Sequence, residues 1–308
     1  MNRELFQITI SILAAIVLFL FSLKGFSKEL QEVGAERLKI WLSKVTGNKF
    51  YGFLVGVLAT ALIQSSSAVS SIIVALVDAG VISFYNSFGV LIGTNVGTTF
   101  TAWLVALKLD DLGSILIVLG TLISVVPNKI NLIGKSIFYL GFILFALQLI
   151  SFSIAPLKEA PIFVEMLQYS DSIAIGILLG AILTTILQSS SVVTGLVIIL
   201  ASQSLVTLDG AIAVLLGANL GTSSTAILAS INMSEAAKKS AKATLYFNFI
   251  GVLLFLPFFG MFANFIGSFD VDLTYKIAIA HLIFNLIIAM IFLTFSKAIY
   301  MWLFKGKD

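Results

Sequence analysis

The sequence predicts an all-α polytopic membrane protein of two inverted-topology repeats, each with a re-entrant helical hairpin and a glycine-broken helix. Three observations predict it. Hydrophobic residues make up 59% of the 308 and charged residues 11%, with a mean hydropathy of +1.10, whereas a soluble domain carries about 25% charge. The tetrapeptide Gln64-Ser65-Ser66-Ser67 returns as Gln188-Ser189-Ser190-Ser191, 124 residues on, each copy inside a long apolar segment. Corresponding loops of the two halves also carry opposite charge bias.

The first repeat occupies 1–130. Its first apolar segment, 6–26, follows Met1-Asn2-Arg3, a start that a secretory leader would share. No small-x-small cleavage site follows, and Leu18-Phe19-Leu20-Phe21 has a counterpart in Phe142-Ile143-Leu144-Phe145 at the same offset. The segment is therefore read as a transmembrane helix. Residues 28–46 mix apolar and basic side chains, as a helix lying on the membrane surface does. The 50–77 segment is long enough for two half-helices meeting at the Gln-Ser-Ser-Ser tip. Next, 85–107 contains Gly93-Thr94-Asn95-Val96-Gly97-Thr98, where glycines four apart are expected to weaken the helix and free its carbonyls. An apolar stretch at 113–127 closes the repeat.

The second repeat, 131–265, runs through the same order. Its segments are 131–153, a hairpin over 173–202, a broken helix over 208–231 with Gly217-Ala218-Asn219-Leu220-Gly221-Thr222, and 243–265. Residues 266–308 add a further helix near 275–304.

Orientation follows from lysine and arginine. The connection after the first helix carries Lys24, Lys28, Arg37, Lys39, Lys44 and Lys49, while its counterpart carries only Lys158 beside Glu159, Glu165 and Asp171. Equivalent loops of opposite bias place the repeats upside down to one another. Lys129, Lys135, Lys238, Lys239, Lys242, Lys297, Lys305 and Lys307 join the cytoplasmic set, leaving Arg3, Lys108, Lys158 and Lys276 outside with Asp110, Asp111, Asp270 and Asp272. The N-terminus is then outside and the C-terminus cytoplasmic. Between 49 and 110, and between 171 and 235, the chain must cross an odd number of times, yet each interval holds two apolar segments. The Gln-Ser-Ser-Ser segments are assigned as those that enter and leave on one side; long tilted helices are the competing reading.

Several functions are excluded early. The chain has no cysteine, hence no disulfide or thiolate metal site, and a single histidine. A net charge of +3, dispersed along the chain, does not suggest nucleic acid. Polar groups in hydrocarbon cost several kcal/mol each when unpaired, so two matched clusters need a use. With a half-helix starting near Ser66 or Ser190, each tip presents free N–H groups and a partial positive charge. Inverted hairpins meeting tip to tip make an anion site near the midplane. Asn95, Asn219, Thr98, Thr99, Thr222, Ser223 and nearby carbonyls are hard oxygen ligands suited to Na⁺. Neither motif holds lysine or arginine, so a multivalent oxyanion would need co-bound cations. Asn248 and Asn285 are expected to hydrogen-bond between helices, His281 to pack, and Asp78 and Asp209 to act as solvated caps.

These residues resemble the type II sodium–phosphate cotransporter family, which carries Gln-Ser-Ser-Ser followed by Gly-x-Asn-x-Gly-Thr in each of two inverted repeats. The resemblance covers roughly 5–300. It implies secondary active symport of inorganic phosphate with Na⁺ by alternating access. By carry-over, Gln64, Ser65, Ser66, Gln188, Ser189 and Ser190 are phosphate candidates, and Ser67, Asn95, Thr98, Ser191, Asn219 and Thr222 are sodium candidates. A short chain of this kind resembles a bacterial inner-membrane member, embedded in the lipid bilayer and able to form a homodimer, without the long extracellular loop or soluble C-terminal domain of larger relatives. The alternatives are a carrier of sulfate or a dicarboxylate, a sodium-independent phosphate exporter, a channel, and a membrane phosphatase. No nucleophile–base pair supports the last, so an enzyme is not expected.

Overall fold

A computed structural model describes residues 3–43, 48–107, 112–127, 130–154, 156 and 172–304. Lys44, Lys108, Asp110, Asp111, Lys129, Lys158, Glu159, Glu165, Asp171, Lys305 and Lys307, used above for orientation, lie outside the described residues. Among the described residues there are helices and turns but no strand.

Helix α1 is Arg3–Ser43, followed by α2 Lys49–Ile63, α3 Ser66–Asp78, α4 Phe84–Ala106, α5 Leu112–Ser124 and α6 Ile130–Ile154. The second half gives α7 Ile173–Leu187, α8 Ser190–Ser202, α9 Leu208–Ser230 and α10 Glu235–Phe255. A 3-10 turn at Leu256–Phe258, where Pro257 ends the ladder, leads to α11 Phe259–Gly267, and α12 Leu273–Phe304 is last. The pairs α2/α7, α3/α8 and α4/α9 have equal lengths of 15, 13 and 23 residues. Each pair is also separated by the same 124 residues as the tetrapeptides. Among the described residues, six stretches are long and apolar enough to cross a membrane: Phe6–Val33, Phe84–Ala106, Ile130–Ile154, Leu208–Ser230, Glu235–Gly267 and Leu273–Ser296. The chain is thus a multi-pass membrane protein.

Two sequence expectations are corrected. Residues 28–43 form no separate surface helix; α1 runs unbroken from Arg3 to Ser43. Its lysines, glutamates and glutamine are good helix formers, and no proline interrupts them. At about 1.5 Å per residue its 41 residues reach about 60 Å, twice the hydrocarbon thickness.

The glycine-rich helices are not broken either. Both α4 and α9 are continuous, and their glycines serve close packing. A Cβ at Gly93 would collide with the Phe53 carbonyl, and one at Gly56 with the Val90 carbonyl. The second half repeats this contact for contact, Gly217 against the Ile177 carbonyl and Gly180 against the Val214 carbonyl. In lipid, helices associate through such packing rather than through exclusion of water. Backbone contact between α2 and α4, and between α7 and α9, therefore holds each Gln-Ser-Ser-Ser segment against its partner helix.

Two buried cores flank these pairs. One contains Ile73, Phe88, Leu91 and Phe292, contributed by α3, α4 and α12. The other contains Phe19, Ile150 and Ile198, from α1, α6 and α8. Polar ties add to them: Lys49 Nζ donates to the Leu293 carbonyl at 2.6 Å and to Ser296 Oγ at 2.7 Å, joining the start of α2 to α12. Asp78, at the end of α3, accepts from the Ser234 backbone N–H at 2.6 Å, where Ser234 caps α10. That bond holds the Asp78 carboxyl below its ordinary pKa.

Candidate functional site

Each tip is a single left-handed residue followed by a single extended one. Gln64 ends α2 at φ 56°, ψ 30°, and Ser65 at φ −149°, ψ 96° leads into α3. Gln188 ends α7 at φ 56°, ψ 25°, and Ser189 at φ −154°, ψ 107° leads into α8. Among the described residues, Gln64, Gln188 and Ser204 alone combine a positive φ with a side chain. Glycine would adopt this backbone without cost, whereas glutamine gives up about 1–2 kcal/mol. The two halves thus place a glutamine, rather than a glycine, in the same strained backbone.

The tips differ in their surroundings. Gln64 is 7% exposed; its Nε2 donates to the Ala61 carbonyl and its Oε1 lies 2.9 Å from Thr101 Oγ1. Gln188 is exposed and its Nε2 donates to the Thr185 carbonyl at 3.1 Å. Ser65 Oγ caps α3 by accepting from the Ala68 N–H at 3.2 Å, while Ser189 makes no such bond and leaves its hydroxyl uncommitted to the helix. Ser66, Ser190 and Ser191 are buried. Contacts pass between the tips: Ser67 Oγ donates to the Gln188 carbonyl at 3.4 Å, and Thr101 Oγ1 lies 3.3 Å from Ser191 Oγ.

A cavity of about 710 Å³ opens beside them. Gln64, Ser65, Ser66, Ser67, Gln188, Ser189 and Ser191 all line it, so the fold brings the two tetrapeptides, 124 residues apart in sequence, to one space. Ser190 is buried behind the lining. One face of α1 closes the other side with Lys24, Ser27, Lys28 and Gln31. Helix N-termini, hydroxyls, amides and two ammonium groups together suit an oxyanion far better than a cation.

The asparagines of the glycine motifs stand elsewhere. Asn95 Nδ2 donates to Asn248 Oδ1 at 2.6 Å, and Asn248 Nδ2 donates to Ser223 Oγ at 2.9 Å. Asn219 Nδ2 donates to Asn285 Oδ1 at 3.2 Å, and Asn285 Nδ2 donates to the His281 carbonyl at 2.8 Å. Asn95, Asn248 and Asn285 meet in a second, much smaller cavity walled by Phe247, Phe284 and Phe292. The expected interhelical bonds of Asn248 and Asn285 are thus present. Thr98 and Thr222 donate to the carbonyls four residues back, Thr94 at 2.8 Å and Ala218 at 2.9 Å, which leaves their oxygen lone pairs free to accept or ligate.

Sequence reasoning missed Thr101, Lys24 and Lys28. Thr101 was within reach: it lies three residues after Thr98 on α4, and Thr225 holds the matching place on α9. Lys24 and Lys28 were assigned to a loop, although Leu20, Lys24, Ser27, Lys28 and Gln31 share the spacing of one helical face.

A model of the family described as Na⁺/Pi-cotransporter matches residues 18–151 and 163–301. The chain is 33% identical over 295 residues to the protein YqeW of Bacillus subtilis (strain 168), covering 95% of this chain and 96% of that one. It is 26% identical over 287 residues to YjbB of Escherichia coli (strain K12), provisionally named for inorganic phosphate export, covering 92% of this chain and 53% of YjbB. Over 89 residues it is 37% identical to the human sodium-dependent phosphate transport protein 2B, covering 27% of this chain and 13% of that protein. No solved structure matches the chain. Two matched stretches that together span most of the sequence show that the chain belongs to the Na⁺/Pi-cotransporter family.

Proposed function

We propose that this protein is a sodium-coupled symporter of inorganic phosphate that works by alternating access. The observation that carries the reading is the meeting of both Gln-Ser-Ser-Ser tips at one cavity. Phosphate is held by Gln64, Ser65, Ser66, Gln188, Ser189 and Ser190, and Na⁺ by Ser67, Asn95, Thr98, Ser191, Asn219 and Thr222. Ser190 reaches the anion through its backbone at the start of α8, since its side chain is buried. Asn95 and Asn219 hold cations one layer away from the anion, in the asparagine cluster.

In this reading 1–130 and 131–265 are inverted repeats and 266–308 an addition to them. The α2–α3 and α7–α8 pairs are re-entrant hairpins, which suits their lengths: 15 and 13 residues reach only about 20 Å each. Helix α5, at 13 residues, is then a short crossing, and a mismatch of this size is met by local thinning of the bilayer. The protein sits in the bacterial inner membrane with its N-terminus outside, and the cavity mouth beside Lys28 and Gln31 faces the cytoplasm. A homodimer through α1 and α6 is compatible with their exposed apolar side chains, such as Leu13 and Phe152. Anion and cation each lower the cost of burying the other, which is the coupling.

A second reading, phosphate export without sodium, is favoured by the name of the Escherichia coli relative. Calorimetric titration of phosphate into the purified protein separates them. Symport requires that phosphate bind at least tenfold more tightly in Na⁺ than in K⁺. Equal affinity in the two cations rejects sodium coupling and leaves export standing.

A further inference from the structure

We infer that Lys24 and Lys28 of α1 form a basic antechamber, an anion-collecting subsite at the cavity mouth that receives phosphate between the serine tips and solution. The inference rests on the phosphate reading above and adds a second station to its path. Both lysines line the same 710 Å³ cavity as the two tips. Both belong to α1, where they follow the apolar run of residues 6–23 in the stretch Phe6–Val33. Neither lies within ion-pair distance of a carboxylate among the described residues, unlike Lys238, which pairs with Glu235.

Lys24, Lys28 and Gln31 continue the helical face of Phe6, Ile10 and Leu13, and at their level that face borders the cavity: they share it with Ser27, and Gln31 Nε2 donates to Ser27 Oγ at 3.1 Å. The polar stripe therefore continues up the mouth from the tips. The tips themselves offer hydroxyls, amides and helix N-termini but no formal charge, so the two ammonium groups are the formal positive charges lining the cavity. A doubly charged oxyanion leaving the tips gains two mobile point charges before it is fully hydrated, which lowers the barrier between the buried site and water. Their flexible stems also let them release it, which a bidentate arginine would do less readily.

The natural absence of cysteine makes the test direct. A single Gln31→Cys places a thiol in the mouth without touching a tip residue. Its labelling rates are measured with an anionic and a cationic methanethiosulfonate of similar size, with lysines intact and in Lys24→Gln/Lys28→Gln. The anionic reagent should react faster with lysines intact, and the anionic-to-cationic ratio should fall about tenfold on neutralisation. Phosphate should slow labelling only when the lysines are present, and Lys24→Arg/Lys28→Arg should retain the ratio. Raising the salt concentration should shrink the ratio in the lysine-intact protein, a control that needs no second variant to fold. A ratio unchanged by neutralisation and by salt overturns the antechamber. A ratio that falls while phosphate protects neither protein supports the antechamber and instead overturns phosphate as the substrate.

Discussion

Gln64 and Gln188 occupy the same left-handed backbone, φ 56° in both, at the ends of helices of equal length in the two halves of the chain. The pairing separates backbone strain from side-chain need. Gln188→Gly removes strain at an exposed position and should raise stability by about 1 kcal/mol, read by thermal unfolding in detergent. The same change should reduce phosphate uptake at least tenfold. A glycine variant that transports normally would show that the glutamine side chain is dispensable.

Thr101 Oγ1 lies between Gln64 Oε1 and Ser191 Oγ, at 2.9 and 3.3 Å. Thr101→Val keeps the shape and leaves a buried amide oxygen without its donor, at a cost of about 1–3 kcal/mol. Uptake should fall with it, and Thr101→Ser should restore both stability and uptake. Loss of transport in the serine variant would assign Thr101 a packing role through its methyl group.

Opposite signs distinguish a glycine that breaks a helix from one that lets two helices touch. A helix-breaking Gly93 or Gly217 replaced by alanine would stabilise the protein by about 1 kcal/mol. With backbone carbonyls of Phe53 and Ile177 in the way, Gly93→Ala and Gly217→Ala should each destabilise by about 3 kcal/mol or more. Gly260, with nothing near its missing Cβ, is the control and should tolerate alanine.

Asp78 carries a pH dependence. Its carboxyl is held below the ordinary range by the Ser234 N–H, so the bond contributes stability above that range and loses it as pH falls through the lowered value. Asp78→Asn should flatten that part of the acid limb of a melting-temperature profile. An unchanged acid limb would mean that the α3–α10 tie does not depend on the charge.

The duplication was legible because one offset relates tetrapeptides, glycine motifs and helix lengths alike, and the ends of α3, α4, α8 and α9 lie within a few residues of the apolar segments. What failed was long-range or chemically ambiguous. A Gly-x-x-x-Gly pattern weakens a helix or admits a neighbour's backbone, and only the presence of Phe53 opposite Gly93 decides between them. Asn95 looked like a free ligand because its partner, Asn248, stands 153 residues away. Lys24 and Lys28 were counted by charge alone, which hid the face of α1 they share with Gln31. The surface helix of 28–46 was inferred from composition, and composition does not say where a helix bends.

The central claim is that the two tips bind phosphate and that sodium drives its movement. The most direct measurement is radiolabelled phosphate uptake into proteoliposomes with Na⁺, K⁺ or Li⁺ outside, for the unaltered protein and for Ser66→Ala/Ser190→Ala. The account predicts concentrative uptake only with the inward Na⁺ gradient and its loss in the double variant. Uptake of equal rate in all three cations, or full uptake by the double variant, would contradict it.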